Sequence, residues 1–396
     1  MTARRLLSGP FARVTVANFL FFLNFASFFL LPLHVKELGG SETTVGLVMG
    51  TSGMASLLAL PLVGIGIDRF GRRRFFVAGA VAMSAAAVGF VFVHTIGPAL
   101  FALRVVQGVS FAAAFTASTT MAAELATPER RAQALGVFGV STLLTHAIGP
   151  SLGEEIVHRF GFPALFCVAA ACTIAAVPML RGVQTRSKHP IETVPPPWSV
   201  SRLQWMVIAT MTLAGMGFGA VMTFIPTYVR SHELGRVALF YGPYSATAML
   251  TRIFGGGLSD SLGRRATVLP ALVALAVSIA ALAWVGSVAA LVAVGALFGA
   301  AQGISYPTLH AFLVDQTPPA HLGRSQAMFN GAFNLGVMGS AFVFGPVADH
   351  LGHRTMFSCA AVLPLLAALL LFATGSEAES RAGVSLAAGS PNSASH

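Results

Sequence analysis

Twelve apolar runs, each about long enough to cross a bilayer, constrain this chain more than any other feature. A helix needs about 20 apolar residues to span the hydrocarbon core. Runs of that size fall at roughly 14–36, 44–67, 75–95, 98–124, 132–155 and 161–180, and again at 203–228, 237–259, 266–286, 289–314, 325–348 and 355–374. Six spans, a polar interval and six more imply an all-α integral membrane protein. The composition agrees: 55% of the 396 residues are hydrophobic and 10% are charged, against about 25% charged in soluble domains. Mean hydropathy is +0.76. The first run is read as a spanning helix that is kept, not as a signal peptide, because its apolar stretch from Val14 to Val35 exceeds the roughly 7–15 residues of a signal core.

The net charge of +10 does not mark a nucleic-acid binder. The basic residues are scattered between apolar runs and form no basic face on a soluble domain. They do orient the chain. With the N-terminus inside, seventeen of the 24 Lys and Arg residues fall on inside segments and five on outside loops, while Arg104 and Arg252 lie within spans. Cytoplasmic loops carry the excess of positive charge, so both termini are expected in the cytoplasm. The loops are short and carry no N-x-S/T sequon, which points to a bacterial inner (plasma) membrane. The expected units are a six-helix bundle over 1–180, a basic, Pro-rich linker over 181–202, a second bundle over 203–374, and a disordered tail over 375–396. Cys167, Cys172 and Cys359 sit inside apolar runs and read as small apolar filler.

The two halves repeat each other. "GIGIDRFGRRR" at 64–74 and "GGLSDSLGRR" at 256–265 both lie between the second and third spans of their half. Gly64, Asp68, Gly71, Arg72 and Arg73 align with Gly256, Asp260, Gly263, Arg264 and Arg265. Gln107-Gly108 answers to Gln302-Gly303, and Gly149-Pro150 to Gly345-Pro346. An even number of spans per half makes the repeats parallel, one of the known transporter architectures. Asp68 follows the C-terminal end of a helix, where the helix dipole opposes a carboxylate, so it should face something positive. Arg72, Arg73 and Arg74 can grip anionic lipid headgroups, at about 1 kcal/mol each, or simply set topology.

The stretch at 64–74 resembles the loop signature G-x-x-x-D-R-x-G-R-R of the major facilitator superfamily, and the resemblance covers essentially the whole chain. It implies a twelve-helix fold that works by alternating access. In it, Asp68 would meet the start of the eleventh span and latch the cytoplasmic side in the outward-open state, with Gly64 allowing close approach. "RVVQG", holding Arg104 and Gln107, is similar to a signature of proton-linked drug and metabolite antiporters. The alternative for Arg104 is a structural arginine bonded to carbonyls. Gly136, Gly149, Pro150 and Gly153 in the fifth span resemble the exporter branch, although Thr145 and Glu154 stand where glycines are usual. A span bent at Pro150 and packed on the eighth span would form a hinge or seal.

The resemblance further implies that spans 1, 4, 7 and 10 line the cavity. That gives Asn18, Asn24, Arg104, Gln107, Gln302, Tyr306 and His310 as cavity or coupling candidates, with Phe and Met neighbours that could equally be lipid-facing filler. Gln302, Tyr306 and His310 are spaced i, i+4, i+8 and form one polar stripe. No carboxylate stands midway along the first span; His146 and His310 titrate in the physiological range. Arg252 in the eighth span has no evident partner and could snorkel to the surface. The expected function is secondary active transport of a small organic solute, driven by protons and directed outward, by a monomer without cofactor or metal. The alternatives are an importer of a sugar, organic acid or amino acid, and a membrane enzyme resting on the H-x₄-D spacing of His310 and Asp315. No phosphate-binding loop suggests ATP drive.

Overall fold

The computed structural model describes residues 9–126, 131–183, 199–254, 259, 261–318 and 321–388. Every element among them is helical. That is what hydrocarbon requires, since a helix satisfies its own backbone hydrogen bonds where no water can. Among the described residues, nine helices are long and apolar enough to cross a membrane. Two of these break at Gly161 and Gly352 into two legs each, and Ala238–Phe254 adds one more. The described residues therefore hold twelve spans.

In chain order the spans are α1 (Pro10–Glu37), α2 (Glu42–Phe70), α3 (Arg72–Phe90), α4 (Pro98–Leu125), α5 (131–160) and α6 (162–179). The second half comprises α7 (Arg202–Ser231), α8 (Ala238–Phe254), α9 (Arg264–Leu282), α10 (Val288–Asp315), α11 (322–351) and α12 (353–388). The last helix runs on to Ala388, past residue 375 where the sequence suggests an unstructured tail. The local sequence SEAESRA contains Ala, Glu and Arg, which favour helix.

The repeat is visible in the backbone. Gly71 and Gly263 open α3 and α9 with φ/ψ of 90°/147° and 91°/149°. Gly161 and Gly352 separate α5 from α6 and α11 from α12, both at φ 78°. These left-handed turns are open to glycine and strained for other residues. The first arginine after each matched glycine pairs with the acid at the end of the following helix but one. Arg72 lies 2.5 Å from Glu124 at the end of α4, and Arg264 lies 2.9 Å from Asp315 at the end of α10. These residues of the repeated signature thus tie helices within one half.

The two bundles meet mainly at the end remote from the termini, called here the far face. Gly46, Gly50 and Gly53 of α2 lie against Ala341, Phe342 and Met338 of α11, and a Cβ on Gly345 would fall 2.9 Å from the Glu42 carbonyl. α1 meets α7 through its far turns, residues 28–37. One buried apolar cluster crosses this seam, joining Phe28, Phe29 and Leu31 to Phe224, Tyr228 and Tyr241. The cluster nearer the termini, with Phe11, Phe21, Phe76 and Met121, draws only on the first half. A Cβ on Gly64 or Gly331, toward that end of α2 and α11, would meet open space. The halves are therefore closed at the far face and parted at the terminal face.

A side chain at Gly46 would run into the Ala341 backbone, so Gly46→Val should block far-face closure while leaving insertion intact. In a chain with Cys167, Cys172 and Cys359 changed to Ala, Thr227→Cys should react with an impermeant maleimide several-fold faster in the Gly46→Val background than in its parent. Equal rates would show that the seam tolerates the added bulk.

Candidate functional site

The first N–H groups of a helix have no partner within it, and the helix dipole makes that end attractive to anions. At α2 the third of these donors, Thr44 N–H, bonds Ser41 Oγ at 3.2 Å. The first two, from Glu42 and Thr43, donate to the carboxylate of Asp349 at 2.7 Å each. Asp349 belongs to α11, in the other half. The other seam repeats the device: Val237 and Ala238, at the start of α8, donate to Glu154 of α5 at 3.0 and 3.1 Å. Each half thus lends a carboxylate to a helix N-terminus of the other.

Further charges reinforce both seams. Glu42 is buried, with Lys36 Nζ at 3.4 Å and His353 Nε2 at 3.5 Å, and it accepts a hydrogen bond from Thr227 Oγ1 at 3.0 Å. Thr227 and His353 come from the second half. At the α5–α8 seam, Glu155 pairs with Arg236 of the opposite half at 3.0 Å and with Arg159 of its own helix at 2.5 Å.

Arg104 is 5% exposed and fully engaged. Nε donates to the Val48 carbonyl at 3.0 Å, Nη1 to Gln107 Oε1 at 2.7 Å, and Nη2 to Ser52 Oγ at 2.5 Å and the Met49 carbonyl at 3.4 Å. No carboxylate joins it among the described residues. It fastens α4 to the stretch of α2 that packs on α11, and Gly108 next to it lies against the Ser52 carbonyl. Of the two roles open to Arg104 from sequence, this geometry fits the carbonyl-bonded staple.

The other sequence candidates divide. Asn24 is buried, and its Nδ2 donates to the Ala169 carbonyl of α6 at 3.0 Å within the same half. Asn18 likewise joins Thr142 of α5 and Ser118 of α4. Gln302 is buried, Tyr306 donates its hydroxyl to Asn330 Oδ1 at 3.0 Å, and the His310 ring lies 4.9 Å from Phe329. His310 and Asp315 form no pair; Asp315 faces Arg264.

Gly149 packs on Ala26 and Ser27 of α1, and Gly153 on Leu30 of α1 and Leu165 of α6. Around this segment α5 reaches α8 through His146, which stacks on Tyr244, and through Glu154, which accepts from Val237 and Ala238. Asp68 and Arg73 are exposed on the terminal face, where Asp68 makes no ion pair or hydrogen bond with a described residue. Arg265 donates to the Phe372 carbonyl of α12. Gly256 and Asp260 lie outside the described residues.

The carboxylates that cap the seams escaped the sequence reading. Glu154 stood out only as a departure from a glycine pattern, and Asp349 and Glu42 did not stand out at all. The signal was present in the repeat: each capping acid follows a matched Gly-Pro pair, Gly149-Pro150 or Gly345-Pro346, by three or four residues.

Removing a helix cap costs about 1 kcal/mol, or roughly fivefold in an equilibrium constant. Asp349→Ala and Glu154→Ala should each raise the far-face-open population about that much. The seams share no partner, so the double variant should show about the product, roughly 25- to 30-fold. Maleimide labelling at Thr227→Cys measures it; no change in either single variant would remove the caps from the closure equilibrium.

The comparisons with known proteins agree with this architecture. The sequence model of the Major Facilitator Superfamily matches residues 14–340 and 237–392. The multi-drug resistance efflux pump PmrA homolog of Lactococcus lactis is 25% identical over 346 residues, covering 82% of this chain and 84% of that protein. The staphylopine export protein of Staphylococcus aureus is 22% identical over 388 residues, covering 92% and 96%. Among solved structures, the nucleoside transporter NupG superposes with a TM-score of 0.73 at 14% identity, covering 92% of this chain and 99% of that one. The human organic anion transporter MFSD10 gives 0.69 at 18% identity, with 94% and 100% covered. With twelve spans in two matched bundles and a family match along nearly its whole length, the chain belongs to the Major Facilitator Superfamily and is a transporter, not an enzyme.

Proposed function

We propose that the chain exports a small organic solute by proton-coupled alternating access, in a bacterial plasma membrane with both termini cytoplasmic. The observation that carries this reading is the pair of carboxylates, Asp349 and Glu154, each seated on a helix N-terminus of the opposite half. Such contacts form and break as whole bundles rock, and each lost hydrogen bond is replaced by one to water. The excess of basic residues on the terminal side supports placing that side in the cytoplasm. The described conformation is then the inward-open one, ready to take up solute from the cell.

Asp68, Gly64, Gly71, Arg72 and Arg73 serve the opposite state in this reading. When the terminal face closes, Gly64 allows α2 to approach α11 and brings Asp68 to the start of that helix. The exposed Asp68 carboxylate, unpaired among the described residues, and the open space at Gly64 support this, as both are available here. The capped far face and the Asp68 latch would hold alternate ends of one equilibrium.

Proton coupling is assigned to the interior histidines. His310 Nε2 and His146 Nδ1 are buried without a hydrogen-bond partner, so each has a site that a proton can occupy as the cleft changes sides. Efflux rather than uptake is supported by the names of the bacterial relatives, a multidrug efflux pump and a staphylopine exporter.

Inverted vesicles containing the chain should accumulate exported solutes when their lumen is acidified and stop when the pH gradient is collapsed. Concentrative uptake by right-side-out vesicles would reverse the assigned direction. Asp68→Asn should lower the rate by about tenfold, within the usual range of conformational coupling, at unchanged abundance; a wild-type rate would remove the latch. His310→Gln should flatten the dependence on lumenal pH, and an unchanged profile would move the coupling proton elsewhere.

A further inference from the structure

Two arginines stand inside the described spans, Arg104 buried and Arg252 half-buried, and they differ in one respect. Arg104 has an acceptor for each of its nitrogens. Arg252, in α8, has none. Its Nε is buried without a partner, and its two Nη groups form no hydrogen bond or ion pair with any described residue. Its contacts are the Tyr306 ring, 5.6 Å from Cζ, and the backbone of α5, where a Cβ on Gly139 would lie 3.9 Å from Nη1. An arginine within a membrane span ordinarily pairs with a carboxylate or with carbonyls. A planar fork of donors left open can be completed by an anion brought from outside.

The surroundings favour such a guest. Arg252 lies on the seam of the halves, between α5 of the first and α8 and α10 of the second. The titratable groups facing it are His146 from α5, Tyr306 from α10 and Tyr244 from its own helix. None is a carboxylate. The ion pairs described above lie near helix ends, so acidic groups are kept out of this interior among the described residues.

Aromatic rings pack around it, with Tyr306 and Phe333 partly exposed and Tyr244 and Phe329 buried behind them. His146 stacks on Tyr244 and abuts Phe29, while Tyr306 meets Phe329 and Phe333 edge-on. His310 stands one helical turn beyond Tyr306, and its Nε2 is also unpartnered. The site offers one fixed positive charge, neutral donors and flat apolar walls.

We propose that Arg252 is the anchor of a substrate subsite for the acidic group of an amphipathic organic anion, the aromatic or apolar body lying against Tyr306 and Phe333. A carboxylate or sulfonate accepts two parallel hydrogen bonds from the open guanidinium edge. This names the substrate class for the transporter reading above and rests on it. Because the site is shared by both halves, the bound anion draws α5 and α8 together, and rocking of the bundles changes its access from one face to the other.

Two dyes of one scaffold and opposite charge test the proposal. Fluorescein carries a carboxylate on a xanthene body; rhodamine 123 carries a cation on nearly the same body. Binding to the full chain in neutral-lipid nanodiscs is read by fluorescence anisotropy, and pumping by inverted vesicles with an acid lumen. Wild type should bind fluorescein at least tenfold more tightly than rhodamine 123. Arg252→Gln should lose that preference, Arg252→Lys should keep part of it, and rhodamine binding should be equal in all three. Sodium benzenesulfonate should compete for the wild-type site. Equal fluorescein binding by wild type and Arg252→Gln, including no binding by either, overturns the subsite. If rhodamine is pumped and Arg252→Gln is indifferent to both dyes, the exporter reading stands and the anion subsite falls. If fluorescein binds through Arg252 but is never pumped, the subsite stands and the exporter reading falls.

Discussion

A helix that ends at an interface must find partners for its first N–H groups, and this protein finds them on the far side of a moving seam. The α2 N-terminus is completed by Asp349 and the α8 N-terminus by Glu154. Both contacts join helix dipole to carboxylate at the edge of water, where each is worth about 0.3–1 kcal/mol for the charge and a similar amount for the hydrogen bonds. That range suits a contact meant to be reversible. Deeply buried ion pairs would hold the seam too firmly or be too costly to expose. Glu42 is the more buried member, and it is surrounded by Lys36, Thr227 and His353, so its charge is compensated as long as the seam is shut.

Packing complements these polar contacts. Glycines at 46, 50 and 53 let α2 lie directly on α11, which is how helices associate in lipid when no hydrophobic drive separates one apolar face from another. Ring stacking of Phe29 on Tyr241, at 5.4 Å, adds a contact across the same seam. Shape and charge are therefore concentrated at one end of the molecule, and the other end is left with exposed α2 residues such as Leu58 and Leu62. Within each half the arrangement is the reverse. Arg72–Glu124 and Arg264–Asp315 bind the terminal ends of neighbouring helices, so the terminal face is firm inside each bundle although the bundles are apart there.

Much of the architecture was legible in the residues. Span lengths follow from the thickness of the hydrocarbon core, and the repeat at an offset of 192 carries the bundle symmetry, down to matched glycine dihedrals at 71 and 263. The side-chain partners were less legible. Asn24 stands on a span that the resemblance makes cavity-lining, and its bond to α6 could not be read from the chain, because the facing of a helix with apolar residues all round is set by its neighbours and not by its own pattern. Glu154 and Asp349 look like ordinary acids at membrane edges, since only the tilt of one bundle against the other brings them onto a helix end. The motif around Arg104 sets it apart from Arg252 in the sequence, but the supply of carbonyls within reach, which divides them in the fold, is a tertiary property.

The four hydrogen bonds of Arg104 have a mechanical consequence. Three of them weld the far part of α4 to the far half of α2, so α2 cannot peel from its own bundle when it leaves α11. The first half must swing as a stiff plate, and a displacement of a few ångströms at the far rim is delivered, through the lever arm of two joined helices, to the opposite rim where Asp68 waits.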